Sequence, residues 1–197
     1  PLATWLGLSE SPGEACGHGA LDAADARSLA AALAARPGNR WCITLTDARG
    51  RPVAHGCVRA GRAGLARGSD RPKPPVGTGT WSATVTITPL AGGRCDHARE
   101  TRAYQLPPTL RHLIETRQAT CCFPGCRRPA VRCDKDHTIP YDQGGKTCVC
   151  NCAPLCRRHH AAKQAGRWHL AQPQPGTMIW TTPSGRTYTT GPTRYPR

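Results

Sequence analysis

The sequence predicts an α+β fold in which a metal-stapled C-terminal half follows a small mixed segment of helix and hairpin. Three observations lead there. Apolar residues recur at helical spacing in LDAADARSLAAALAA and PPTLRHLIETRQ, and strand-like runs occur in WCITLT, VAHGCV and WSATVTI. Eight of the twelve cysteines and three of the eight histidines fall between Cys121 and His160. Basic residues are concentrated in that same half.

Residues 1–20 contain TWLGLSESPG, an apolar patch broken by Gly and Pro, and read as an irregular lead-in. The first helix follows, with Asp22 and Asp25 near its start, Leu29 and Leu33 on one face, and Pro37-Gly38 as its stop. Trp41 to Thr46 has strand composition, Asp47 to Gly50 reads as a turn, and Val53 to Val58 returns. Residues 59–79 are rich in Arg, Gly and Pro without apolar period, which marks a linker or mobile loop, read either as a DNA-touching arm or as a solvated linker. Trp81 to Ile87 alternates like a half-buried strand closed by Pro89 to Gly93. Cys95 and His97 have no second pair beside them in sequence and stay outside the ligand set.

Pro107-Pro108 opens a second helix that carries Leu110, Leu113 and Ile114 at helical spacing to about Gln118, with His112 an ordinary surface or packing residue. Arg132 to Ile139 reads as one strand of a hairpin, and Pro140 to Lys146 as a loop in which Gly144-Gly145 supply positive φ. Thr147 to Cys150 is the second strand. Pro154 fits the first turn of a helix running to about Gln164. The end of the chain reads as a hairpin, Trp168 to Leu170 and Met178 to Thr181, whose tryptophans pack on the preceding module. Ser184-Gly185 then turns into Thr187-Tyr188. His169 is assigned to packing. The organisation is thus 1–98, a mixed region, and 99–197, the metal-bearing domain with its core at 121–164.

At 197 residues the chain holds one domain or two small ones, and its start at Pro1 suggests a piece of a longer protein. No apolar run reaches membrane-spanning length and no secretory pattern marks the start, so a cytoplasmic protein without membrane contact is expected. The net charge of +15 divides unevenly: 11 basic and 7 acidic residues in 1–98, 16 and 5 in 99–197. A basic excess on the metal-bearing half suits a nucleic-acid partner, because each neutralised phosphate releases condensed counterions. Arginine outnumbers lysine 23 to 4 amid abundant Ala, Gly and Pro, a bias that a GC-rich genome also produces. Twelve cysteines could pair as disulfides, but C-x-x-H spacing and the absence of an export signal favour metal.

The ligands come as two pairs. Cys121 or Cys122 goes with Cys126, and Cys156 with His159, which together make a tetrahedral zinc set. Between them stand Asp136-His137 and Asn151, and His160 follows directly. Neighbours on a helix point about 100° apart, so His159 and His160 can serve two different metals.

Here the chain resembles the HNH endonuclease family, the ββα-metal nucleases, in the form found at the C-terminus of actinobacterial proteins behind a domain of unknown function. The resemblance covers 121–164 closely and extends loosely to LRHLIETR before, and GRWHL and WTTPSGRTY after. It implies a zinc-stabilised ββα-metal (HNH) module, and its C-x-F-P-G-C pattern selects Cys121 as the first zinc ligand. His137 becomes the general base. Asp136 and His160 hold a catalytic Mg²⁺ or Mn²⁺, and Asn151 pins the loop and orients His137. The implied reaction is hydrolysis of DNA, leaving 5′-phosphate and 3′-hydroxyl ends.

Phosphate contacts are expected from Arg127, Arg128, Arg132, Arg157, Arg158 and Lys163, with double-stranded DNA as the partner. Cys133, Cys148, Cys150 and Cys152 read as buried thiols. The alternative is a zinc-stabilised DNA-binding or interaction module of the same fold without turnover, and the intact Asp136, His137, Asn151 and His160 speak against it. A third reading, an enzyme that processes mobile DNA, has the same site.

Overall fold

The structure is a computed structural model that describes residues 1–15, 18–34, 36, 38–59, 85–90 and 93–196. The chain divides into two compact units, 1–43 with 56–88, and 44–55 with 89–197. Most of the expected linker, and residues 81–84 of the strand expected after it, lie outside the described residues.

In the first unit, helix α1 (Leu2–Trp5) precedes an antiparallel ribbon of β1 (Gly13–Ala15) and β2 (Gly19–Leu21), then helix α2 (Ala23–Ala34). Asp22 caps α2, its Oδ1 accepting the Asp25 N–H at 2.8 Å. Arg27 pairs with Glu10, and Trp5 stacks on Trp41 at 5.4 Å. Leu29 and Leu33, expected on a packing face, are exposed on α2.

Strands β3 (Arg40–Thr46) and β4 (Pro52–Arg59) form the predicted hairpin, joined by β5 (Thr88–Pro89) in the order β3-β4-β5. Its turn is built by Asp47, whose carboxylate accepts the N–H groups of Arg49 and Arg51, with Gly50 at φ 74°. Cys42 and Cys57 sit against each other across this hairpin.

After the hairpin, helix α3 (Pro108–Arg117) in the second unit buries Leu110, Leu113 and Ile114 as their spacing requires. Strands β6 (Asp134–His137) and β7 (Cys152–Leu155) pair antiparallel, His137 opposite Cys152, and lead into helix α4 (Arg157–Gln164). A three-stranded meander of β8 (His169–Gln174), β9 (Thr177–Thr181) and β10 (Thr187–Thr190) closes the chain.

Three expectations are corrected here. The second strand is 152–155 rather than 147–150, because Cys148 to Cys152 forms a turn in which the Cys148 carbonyl accepts from both Asn151 and Cys152. Pro154 lies in that strand, opposite Lys135, and the helix begins only at Arg157 with Cys156 as its N-cap. In the loop, Gly144 has φ 86°, whereas Gly145 does not take positive φ. Gly145 is required for space instead, since a Cβ there would fall 1.8 Å from the Ile139 carbonyl oxygen.

One core cluster joins Cys121, Cys122, Cys133, Ala153, Leu155, Met178 and Trp180, with Phe123 and Trp168 on its edge. The fully buried Trp180 donates its indole N–H to the Cys122 carbonyl at 3.0 Å, tying the meander to the cysteine turn. A smaller cluster packs Leu106, Leu110 and Ile114 of the α3 region on Cys152. Arg117 is buried with no carboxylate among its described partners, and its guanidinium donates to the carbonyls of Val149 and Cys152 and to Gln118 Oε1. Burial lowers its pKa to about 10, so it stays cationic at neutral pH. This holds α3 against the turn that carries Asn151.

Candidate metal centre and catalytic cluster

The Cys121-to-Cys126 turn, tightened by Gly125 at φ 73° and by the Cys126 N–H on the Phe123 carbonyl, faces the start of α4. Cys121, Cys126, Cys156 and His159 offer ligand atoms that all lie within 4.8 Å of one another. His159 Nδ1 is 3.5 Å from Cys121 Sγ and 3.2 Å from Cys156 Sγ. Around tetrahedral zinc, with bonds of about 2.3 Å to sulfur and 2.0 Å to nitrogen, ligand atoms are roughly 3.5–3.8 Å apart, so this group can hold the ion.

Burial pushes the Cys121 thiol well above its ordinary range, whereas His159 and Cys156 shift toward the forms a metal needs. Burial lowers the pKa of His159, helped by Arg158, leaving the neutral imidazole a metal needs. Burial opposes ionisation of Cys156, but the backbone N–H groups of His159 and Arg158 and the thiols of Cys121 and Cys126 outweigh it and lower its pKa. Cys122, the adjacent candidate, is outside the group: it is buried near Arg117, and burial pushes its thiol up to about 12. Phe123 stacks on His159 at 3.8 Å and shields the centre.

Asp136 and His137 are neighbours at the end of β6, and successive strand residues face opposite sides. His137 is buried, stacked on Tyr104 at 5.4 Å, with Nε2 2.7 Å from Thr147 Oγ1. The Thr147 hydroxyl donates to the Tyr104 carbonyl at 3.5 Å, so it accepts from His137. This assigns the ring proton to Nε2 and the lone pair to Nδ1. Burial first, then Lys163, lowers the His137 pKa against the opposing effect of Asp136.

Asp134 and Asp136, two residues apart on β6, both reach His160 of α4. Asp134 Oδ2 is 2.8 Å from His160 Nδ1, and Asp136 Oδ1 is 3.1 Å from His160 Nε2. A carboxylate can only accept, so Nδ1 carries a proton and Nε2 turns toward a second carboxylate. Nε2 also stands 2.9 Å from the Gln164 side-chain amide, which can donate to its lone pair, and a divalent ion would take that lone pair instead. Neighbouring corners of an octahedron with bonds of about 2.1 Å are roughly 3.0 Å apart, so the pair suits two adjacent ligands on one divalent ion. Asp134 supplies the outer carboxylate that fixes such an imidazole.

Lys163, expected on phosphate, donates instead to Asp136 Oδ2 at 2.7 Å and to the His137 carbonyl. A cavity of about 710 Å³ is lined by Tyr104, Asp136, His137, His160, Lys163 and Trp168, among others.

Asn151 reaches none of these side chains. It is buried, its Oδ1 accepts the Ile139 N–H at 2.8 Å, and its Nδ2 donates to the carbonyls of Ile139 and Lys146 at 3.0 and 2.9 Å. The Thr138 N–H also bonds the Asn151 carbonyl at 2.7 Å. Asn151 therefore fixes the backbone that follows His137. Arg127, Arg128, Arg132, Arg157 and Arg158 are all exposed, and Arg157 pairs with Asp134 at 3.3 Å.

The structure brings together residues the sequence left apart. Asp134, Thr147 and Tyr104 complete the surroundings of His160 and His137; only Asp134 carried a signal, the two-residue strand spacing in DKD. Cys133 and Cys152 are buried thiols as expected. Cys150 is not: it is partly exposed and, with the buried Cys148, turns toward Cys95 and His97. His112 meets His55, with Nε2 atoms 2.9 Å apart.

Among known proteins the chain is similar to two uncharacterized proteins of Mycobacterium tuberculosis. It is 39% identical to Rv3776 over 132 residues, which cover 61% of this chain and 25% of that protein. It is 42% identical to Rv2100 over 90 residues, which cover 45% of this chain and 16% of that protein. The chain thus spans a quarter or less of the length of these curated relatives. No protein-family model matches it, and neither does any solved structure.

Proposed function

We propose that residues 99–197 form a metal-dependent endonuclease of the HNH, or ββα-metal, type that hydrolyses DNA and leaves 5′-phosphate and 3′-hydroxyl ends. The observation that carries this reading is the joint placement of a neutral, buried His137 with its lone pair on Nδ1 and the Asp136–His160 pair beside it, across one short strand. His137 Nδ1 takes a proton from a water molecule, whose oxygen bonds to phosphorus as the bond to the 3′ oxygen breaks; that oxygen leaves with a proton from solvent. Asp136 and His160 would hold a Mg²⁺ or Mn²⁺, which would supply charge stabilisation to the reacting phosphate.

Thr147 and Tyr104 hold the imidazole in its working tautomer. Asn151 fixes the loop behind it. The exposed Arg127, Arg128, Arg132 and Arg158, with Arg157, supply cationic charge for the double-stranded backbone. A zinc ion on Cys121, Cys126, Cys156 and His159 ties the helix to the cysteine turn and adds folding energy. No described helix is long and apolar enough to cross a membrane, and a cytoplasmic location goes with a DNA substrate.

One observation favours a second reading, a DNA-binding module without turnover: the Lys163 ammonium already pairs with Asp136 at 2.7 Å. Nicking of supercoiled plasmid by the zinc-loaded chain, with and without added Mg²⁺ or Mn²⁺, decides between them. Metal-dependent nicking abolished by Asp136→Ala supports the nuclease. Retained DNA binding without nicking at any metal concentration supports the binding module.

A further inference from the structure

We propose that Cys95, His97, Cys148 and Cys150 bind a second structural zinc ion, which fastens the segment before α3 to the turn that carries Asn151. The four ligand atoms all lie within 4.8 Å of one another, as at the Cys121 centre. Cys95 Sγ is 3.5 Å from Cys148 Sγ, and Cys150 Sγ is 3.9 Å from His97 Nδ1. A tetrahedral zinc sets these separations at roughly 3.5–3.8 Å. The ligands arrive as C-x-H and C-x-C, 53 residues apart. An antiparallel bridge between Thr101 and Thr147, with an N–H···O distance of 3.0 Å, lays the two segments side by side.

The backbone carries an independent mark. His97 has φ 58°, the one non-glycine residue with positive φ among the described residues. A left-handed conformation is strained for a side-chain-bearing residue and persists where its surroundings demand it. It turns the His97 N–H onto Cys95 Sγ at 3.4 Å. The first centre has the same arrangement, the Cys156 N–H on Cys121 Sγ at 3.3 Å. Glu100 Oε2 stands 3.1 Å from the same His97 Nδ1 and is itself held by Lys146, so the ion would take the place of this contact at the nitrogen.

Hydrophobic packing does not account for the group, because Cys95 and Cys150 are only partly buried and the His97 side chain is 54% exposed. A disulfide between Cys95 and Cys148 would leave His97 and Cys150 unexplained. The position of the ion connects it to the catalytic cluster. Cys150 precedes Asn151, and the chain from Cys95 runs on to Tyr104, whose ring lies on His137. The second zinc thus holds the Asn151 turn and Tyr104 in place from one point.

The test reads zinc and thiols rather than cutting, so it stands or falls apart from the nuclease reading. Zinc per chain is measured on the purified full chain and on Cys148→Ser/Cys150→Ser. The variant is expected to carry one zinc fewer per chain than wild type; equal zinc in both overturns the proposal. On wild-type protein, which removes any question of variant folding, iodoacetamide labelling is followed by mass spectrometry. Cys95 and Cys150 are expected to be protected in the zinc-loaded chain and labelled after chelation. Equal labelling in both states, or a Cys95–Cys148 disulfide without zinc, overturns it as well.

Discussion

Replacing Asn151 by alanine removes three hydrogen bonds at 2.8, 3.0 and 2.9 Å from a buried position. At about 1 kcal/mol net for each bond, the loss is about 3 kcal/mol. That is a large part of a domain stability of about 5–15 kcal/mol. Urea unfolding followed by tryptophan fluorescence, with zinc saturating throughout, reads it. With an m-value of about 2 kcal/mol/M the midpoint should fall by about 1.5 M. Zinc content should not change, because Asn151 touches no ligand of the Cys121 centre. A midpoint shift below about 0.3 M would mean that the Asn151 bonds do not hold the loop, and the positioning role given to it would be wrong.

Further outcomes follow from the same geometry. Cys156→Ser should cost the chain one zinc and unfold the 121–164 core, since structural zinc contributes on the order of 10 kcal/mol to a small module; metal content and circular dichroism check this. His137 has a pKa below 6.5, chiefly through burial, so the folded state prefers its neutral form. The stability this gives is whole above pH 6.5 and is lost as pH falls below it, because the unfolded chain takes up the proton first. The acidic limb of the pH–rate profile for cutting should therefore have its midpoint below 6.5, and a midpoint above 7 would contradict the assignment of His137 as base. Lys163→Met frees Asp136 from a competing ammonium, so half-maximal activation should occur at several-fold lower Mn²⁺. Arg127→Ala/Arg128→Ala should flatten the salt dependence of DNA binding by up to about one unit of slope for each phosphate no longer neutralised.

Much of this was legible before the fold was known, for reasons that differ from element to element. Helix α3 and the β3–β4 hairpin carry strong local periodicity and unambiguous turn residues, so their positions were readable. The Cys121, Cys126, Cys156 and His159 group was readable because its members come as close pairs, and the chemistry of C-x-x-H admits few uses other than holding a metal. Strand β7 was misplaced because Cys148, Cys150 and Cys152 alternate like a strand, whereas the carbonyl of Cys148 closes a turn there. No local pattern announces that.

The position of Pro154 misled for a similar reason. Proline at a helix start is common, but in β7 its carbonyl is taken by the Cys122 N–H at 2.9 Å, a contact set by the cysteine turn 32 residues earlier. The Cys95 and His97 ligands were invisible as such, because their partners lie 53 residues away and only the Thr101–Thr147 bridge brings them together. Lys163 was assigned to phosphate by its charge and its closeness in sequence to the site. Its actual partner, Asp136, depends on the packing of α4 on β6.

The central claim is that His137 acts as a base beside a metal pair, and plasmid nicking by His137→Ala tests it most directly. Wild-type and variant chains, each carrying the same measured zinc content, are incubated with supercoiled DNA and Mn²⁺. Nicking by the wild type that is lost in the variant, with DNA binding unchanged, is the predicted result. Equal nicking by both proteins would contradict the account.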